Sequence, residues 1–239
     1  MGCSQGTHRR WRHQLMSRDF ILEKLGRNLK SSTPGKRESN ARERIQTAAS
    51  GILPKQPKTP TALVARFIEK AKEAQATVTV CSGNQLPDAV SQWLREHNLP
   101  AEIRTGEDKR LSILHKAANK AKGSALTVKQ GPSDGTDLTG VSHAECGISE
   151  TGTLALLSGA DNPTTLNFLP ENHIVVVQRS DIAAHYEEIW PRLRKRFGKG
   201  KMPRTVNLIT GPSRSADIEQ TLLLGAHGPV RLHIIVIED

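Results

Sequence analysis

Two glycine-rich stretches carry the residue types from which a small-anion site can be built. The first reads Gly147-Ile-Ser-Glu150-Thr151-Gly152-Thr153. The second reads Gly211-Pro-Ser213-Arg214-Ser215-Ala-Asp217 and is followed by Gly225-Ala-His227-Gly-Pro229. Glycine lets the backbone turn tightly, hydroxyls and free amides donate hydrogen bonds, and an arginine can grip a carboxylate or phosphate with two prongs.

Glu150 stands at the entrance to an apolar run, Leu154–Leu157. A carboxylate half-buried there has a raised pKa and can act as base or nucleophile. The competing reading is a structural carboxylate that satisfies turn amides. Thr151, Thr153 and the Gly152 amide can bond to it or to a ligand. In the second stretch, Gly211 turns the chain out of a strand. Ser213 or Ser215 then caps a helix expected over Ala216–Leu224, with Asp217 and Glu219 in its first turn. The free amides and dipole at such a helix start favour an anion, and Arg214 can complete the clamp. An ordinary helix cap accounts for Ser215, Asp217 and Glu219, but not for Gly211-Pro212 or Arg214. No Gly-Lys-Ser/Thr follows, so the loop is not of the Walker type. His227 can serve as a general acid or base, or simply bond a turn carbonyl. His143, Glu145 and Cys146 look like metal ligands but have no matching second cluster, and no metal is expected.

These loops need elements to hold them. From Thr61 onward, helices and strands alternate. Helices are expected at Leu63–Ala74 (capped by Thr61), Leu86–Glu96 and Leu111–Ala121. A further one, capped by Ser180 and kinked at Pro191, runs to Phe197. Strands are expected at Ala76–Cys81, Ala101–Arg104, Ser124–Val128, Thr153–Leu157, Ile174–Val177, Val206–Thr210 and Val230–Ile237. Residues 129–147 read as loop, and Thr165–Leu169 as a turn of helix. The alternation predicts an α/β fold, a mainly parallel sheet with helices on both faces. Ligands of such sheets sit at the carboxyl ends of strands, the position expected for the 211–217 loop. Ahead of this domain (61–239) lie a basic extension (1–15) and a helical arm with linker (16–60), where Phe20, Ile21, Leu25 and Leu29 form one stripe.

The positive charge is uneven. Residues 1–58 hold 13 Lys and Arg against 4 Asp and Glu, whereas residues 59–239 hold 21 against 20. A basic arm can steer toward nucleic acid or an acidic partner, or stay solvated. Three separated cysteines, Cys3, Cys81 and Cys146, exclude a zinc ribbon or an iron–sulfur cluster held by this chain alone and fit a reducing compartment. No apolar run approaches the roughly 20 residues of a membrane span. A cytoplasmic protein is expected.

Taken together, the two stretches, Leu169-Pro-Glu-Asn-His-Ile-Val-Val-Val177 and Arg18-Asp-Phe-Ile-Leu-Glu-Lys-Leu25 resemble the lactate-utilisation C-subunit (LutC, LUD-domain) family. The resemblance implies a fold like that of the NagB/RpiA/CoA-transferase group. It also implies a part in oxidising L-lactate to pyruvate, beside two partner subunits that carry iron–sulfur or cysteine-rich motifs. It assigns no catalytic residue. The chain has no Gly-x-Gly-x-x-Gly and no cluster-ligand spacing. No cofactor is therefore expected on this chain, and the redox centre is expected in a partner. The expected function is an accessory subunit that binds a small carboxylate or cofactor anion at the 150–153 and 211–217 loops. One competitor is an independent transferase or isomerase acting on a thioester or sugar phosphate through Glu150. A nucleic-acid binder is disfavoured by eight aromatics in all and a neutral body.

Overall fold

The computed structural model describes residues 18–28, 34–47, 51–120, 126–216, 222–225 and 227–238. The basic extension over residues 1–15 and Asp217 lie outside the described residues. Two units are distinguished, residues 1–51 and 52–239. The first holds helices α1 (Arg18–Asn28) and α2 (Pro34–Thr47). Each carries an exposed ion pair between successive turns, Glu23–Arg27 at 2.6 Å and Glu38–Arg42 at 2.7 Å.

The second unit runs α3 (Pro60–Glu73), β1 (Thr77–Cys81), α4 (Leu86–Glu96), β2 (Glu102–Thr105), α5 (Ser112–Lys120), β3 (Thr127–Gln130), β4 (Thr139–His143) and β5 (Cys146–Ile148). It continues through β6 (Thr153–Leu157), α6 (Thr164–Phe168), β7 (Asn172–Gln178), β8 (Ile182–Ala183), α7 (Ile189–Phe197), β9 (Val206–Ile209), β10 (Arg214–Ala216), β11 (Leu222–Leu224) and β12 (Arg231–Ile237).

Six strands form one sheet in the order β1-β12-β7-β4-β2-β3, with every neighbouring pair parallel. Its central strands β7 and β12 are apolar on both faces because both faces are covered. On one face Ile103, Val141, Ile174, Val176, Ile235 and Ile237 meet Leu86, Val90 and Leu94 of α4 and Leu114 of α5. On the other, Val175, Val177, Ile234 and Val236 meet Val64, Phe67 and Ala71 of α3, together with Leu154 and Leu156 of β6. Strand β6 belongs to a second sheet, β8-β5-β6-β9, whose outer face is covered by Ile189 and Leu193 of α7. The expected α/β architecture with helices on both faces is therefore present, with a small mixed sheet inserted beside α3.

Several local expectations are corrected. Helix α3 is capped by Thr59, not Thr61: Thr59 Oγ1 accepts from the Ala62 amide at 3.3 Å, and Pro60 opens the helix, where no N–H is needed. The loop expected over 129–147 contains the fully buried strands β4 and β5. The helix expected from Ser180 begins only at Ile189. Pro191 thus falls in its first turn, where its missing N–H leaves no bond unmade and imposes no kink. No helix occupies the described part of 216–224. Arg214–Ala216 pairs antiparallel with Leu222–Leu224, Arg214 opposite Leu224. Strand β9, which leads into this hairpin, pairs with β6 and lies outside the parallel sheet.

Candidate functional site

The two glycine-rich turns do meet, and hydroxyl groups join them. Thr153 Oγ1 lies 2.7 Å from Thr151 Oγ1, 2.7 Å from the Tyr186 hydroxyl and 2.6 Å from Thr210 Oγ1, and Thr151 Oγ1 lies 2.8 Å from the Tyr186 hydroxyl. Each hydroxyl has a single proton to donate. These four groups make four mutual contacts, so every proton is used inside the cluster and none is left for an anion. The expected ligand-binding threonines Thr151 and Thr153 thus bind each other and Tyr186.

The glycines of the two turns have a packing role. Gly152 (φ 69°) and Gly211 (φ 71°) both adopt left-handed backbone. A Cβ on Gly152 would overlap the backbone of Lys70 and Ala71; one on Gly211 would overlap the Ala74 carbonyl. Both turns are thereby seated against the end of α3. Glu150, half-buried, faces His185 Nδ1 at 3.3 Å.

Gly211, Ser213 and His227 line a cavity of about 200 Å³ at the amino ends of β7 and β12. Phe168, Leu208 and Leu232 supply apolar wall, and Asn167 and His173 are also among the lining residues. Glu150, Thr151, Gly152 and Thr153 do not line it. Arg214 is exposed, its backbone pairs with Leu224, and its side chain makes no hydrogen bond or ion pair among the described residues. The backbone of Ser215 pairs in β10, and Asp217 lies outside the described residues. The expected helix-start anion cradle is therefore absent from the described residues. Of the expected site residues, Gly211, Ser213 and His227 share one space.

Sequence reasoning missed the two side chains beneath that space. His173 and Asn167 are 0% and 1% exposed. His173 Nε2 lies 3.0 Å from Ser142 Oγ, and Ser142 Oγ donates to Asn167 Oδ1 at 3.3 Å. With the serine proton directed to Asn167, Ser142 accepts from the His173 Nε2–H, and Nδ1 of the neutral ring is left as a bare acceptor. Burial holds this ring neutral, pushing its pKa down to about 3. Nδ1 of His173 and Nδ2 of Asn167 have no partner among the described residues. The available signal was parity: His173 shares the inward face of β7 with Val175 and Val177, a polar residue at an apolar position.

At the opposite, carboxyl ends of the parallel strands, charges are matched. Asp108 is bound by Arg110 (2.6 Å), Asp181 by Arg192 (3.1 Å) and Glu145 by Arg196. Burial alone would raise the Asp108 pKa, but its hydrogen bonds to Arg110 outweigh that and hold the carboxyl below its usual range. His143 lies buried in this group with Nδ1 donating to the Ala144 carbonyl at 2.8 Å. Among the described residues, no group of three or more His, Cys, Asp or Glu side chains is placed to hold a metal ion. No described helix is long and apolar enough to cross a membrane.

The model of the LUD domain family matches residues 64–237. Lactate utilization protein C of Shouchella clausii is 33% identical over 100 residues, which are 42% of this chain and 44% of that protein. The protein of the same name from Halalkalibacterium halodurans is 36% identical over 101 residues, again 42% and 44%. The uncharacterized protein YkgG of Escherichia coli is 37% identical over 101 residues, with the same shares. The chain thus spans less than half the length of these curated relatives. Among solved structures, a DUF162 family protein from Deinococcus radiodurans is similar, with a TM-score of 0.52 and 22% identity, covering 76% of this chain and 99% of that one. At that identity the likeness speaks for the fold. The family match runs from α3 to the last residue of β12, and the chain belongs to the LUD domain family.

Proposed function

We propose that this chain is an accessory subunit of a lactate-oxidising system and holds a small carboxylate in the cavity of Gly211, Ser213 and His227. The observation that carries this reading is the cavity itself. About 200 Å³ gives room for several waters or a three-carbon hydroxy acid. The Ser213 hydroxyl and the His227 imidazole supply polar groups in its lining, while its apolar wall excludes water from the remainder. The relatives named lactate utilization protein C support the assignment to lactate.

Oxidation of lactate to pyruvate removes two electrons and two protons. The cysteines are too sparse for a cluster. Cys146 is buried with its thiol pushed up to about 12, which disqualifies it as a thiolate. In this reading the electrons pass to iron–sulfur centres in the two partner subunits, and this chain presents the substrate. Reconstitution tests it. The partner subunits should reduce an electron-accepting dye with L-lactate only when this chain is present, and Ser213→Val should raise the lactate concentration required. Full activity without this chain overturns the reading.

A further inference from the structure

The floor of the proposed cavity is polar in a specific way, and resting on the carboxylate reading above, we infer that His173 with Asn167 selects a 2-hydroxy acid over the corresponding 2-oxo acid. Three groups set the floor. Ser142 Oγ accepts a hydrogen bond from His173 Nε2–H (3.0 Å) and donates one to Asn167 Oδ1 (3.3 Å). That chain of donors fixes His173 Nδ1 as an acceptor and turns the Asn167 amide so that its NH2 group is unbonded. Both atoms are buried without a partner among the described residues. A buried polar group left unpaired forfeits its hydration with no compensating bond, so the arrangement calls for something that donates to the one and accepts from the other.

A ligand hydroxyl does both. Its proton goes to Nδ1 and its oxygen accepts from the Asn167 amide, while its carboxylate lies toward Ser213 and His227. The two floor atoms are closed to solvent, so the hydroxyl reaches them when the exposed wall side chains Phe168 and Leu208 shift outward, with the Ser142–Asn167 bond kept. A 2-oxo acid has no proton to offer and sets its lone pairs against that of Nδ1. Sites built to bind a hydroxyl reject analogues lacking it more strongly than apolar pockets reject a change of size. Protonation of His173 would remove the acceptor, but burial keeps the ring neutral. The residues act on binding, and no bond is made or broken in this step.

Calorimetric titration of the full chain with L-lactate and with pyruvate tests the inference. L-Lactate should bind roughly tenfold or more tightly than pyruvate. His173→Phe, which keeps a ring in the seam without an acceptor, should bring the two affinities together. Should that variant fold poorly, Ser142→Ala provides the second arm. Loss of the acceptor for Nε2–H frees the proton to move to Nδ1, and the preference for lactate should shrink or reverse. Equal binding of both acids by the unaltered protein overturns the inference but leaves the carboxylate reading standing. Binding of neither acid overturns that reading, and the inference with it.

Discussion

Thr153 and Thr210, 57 residues apart in the chain, face each other through hydroxyl oxygens 2.6 Å apart. This contact ties the turn before β6 to the end of β9, and Tyr186 closes the cluster from a third segment. Thr153→Val or Thr210→Val should each lower stability by about 1 kcal/mol, and Thr153 should be the more sensitive because it makes three contacts. The double variant should lose less than the sum of the two. Urea unfolding of the four proteins measures this, and strict additivity would show the contact to be energetically idle.

Gly152→Ala and Gly211→Ala should be far more damaging. Each forces a Cβ into α3 backbone and a left-handed conformation on an L residue. A loss on the order of 3 kcal/mol or more is expected, seen as low soluble yield or a melting point lowered by several degrees. Gly131→Ala is the control: it also has positive φ (113°), but no atom lies within 4 Å of the new carbon, so its loss should be the smaller.

Acid should destabilise the fold. Burial depresses His173 to about 3 and, together with the nearby His97, depresses His233 to about 4. His233 is packed against Trp93 (ring centroids 5.1 Å apart) and bonded to Thr77 at 2.8 Å. Both folded values lie below the ordinary 6.5, so the unfolded chain takes up protons first as pH falls. The stability these neutral rings contribute is present above about pH 6.5 and is lost progressively toward about pH 4 for His233 and about pH 3 for His173, on the order of 3 kcal/mol for the first and 5 kcal/mol for the second. Unfolding free energies measured from about pH 7.5 to about pH 5 should fall steadily. Burial depresses His143 as well, so His233→Phe should flatten the slope by about a third.

Glu150→Gln and Arg214→Ala should leave lactate binding unchanged, because neither residue lines the cavity. His227→Ala should weaken it several-fold. Titration calorimetry separates these outcomes. Loss of binding in Arg214→Ala would move the site toward the β10–β11 hairpin.

Cys146, fully buried and with a thiol displaced to about 12, should resist alkylation in the native protein and react once urea opens the fold. Mass analysis of peptides after brief treatment with iodoacetamide reads this directly.

Much of the scaffold was legible because its signals are local. Leu86–Glu96 shows helical spacing with Val90 and Leu94 turned inward, and the helix has those limits. The β-branched run at Ile174–Val177 lies in a strand covered on both faces. What failed depended on distant neighbours. Thr139-Gly-Val-Ser-His reads as loop, yet becomes the central strand β4. One reason is that Gly140 has no side chain to block the Leu166 carbonyl and Pro170, which pack on it. Ala216–Leu224 has helix-forming residues, but its described parts pair as a hairpin, since intrinsic propensity is a weak prior against tertiary pairing. In the site, sequence marked Gly211, Ser213 and His227, which share the cavity. It could not show that Tyr186 would arrive to occupy the hydroxyls of Thr151 and Thr153. Nor did a histidine inside an apolar run announce that Ser142 and Asn167 would fix its tautomer.

The position of β12 has a consequence for the birth of the molecule. This strand follows all the others in the chain, yet it lies between β1 and β7, with His233 opposite both Thr77 and Ile174. A nascent polypeptide emerging from a ribosome can form α4, α5 and the β2–β3–β4–β7 half early. Strand β1 must then wait, its backbone edge unpaired, for about 150 residues of synthesis before its neighbour exists. Chains released before residue 231 should therefore be more prone to aggregate than the full-length chain, which light scattering of truncated and full-length proteins would read.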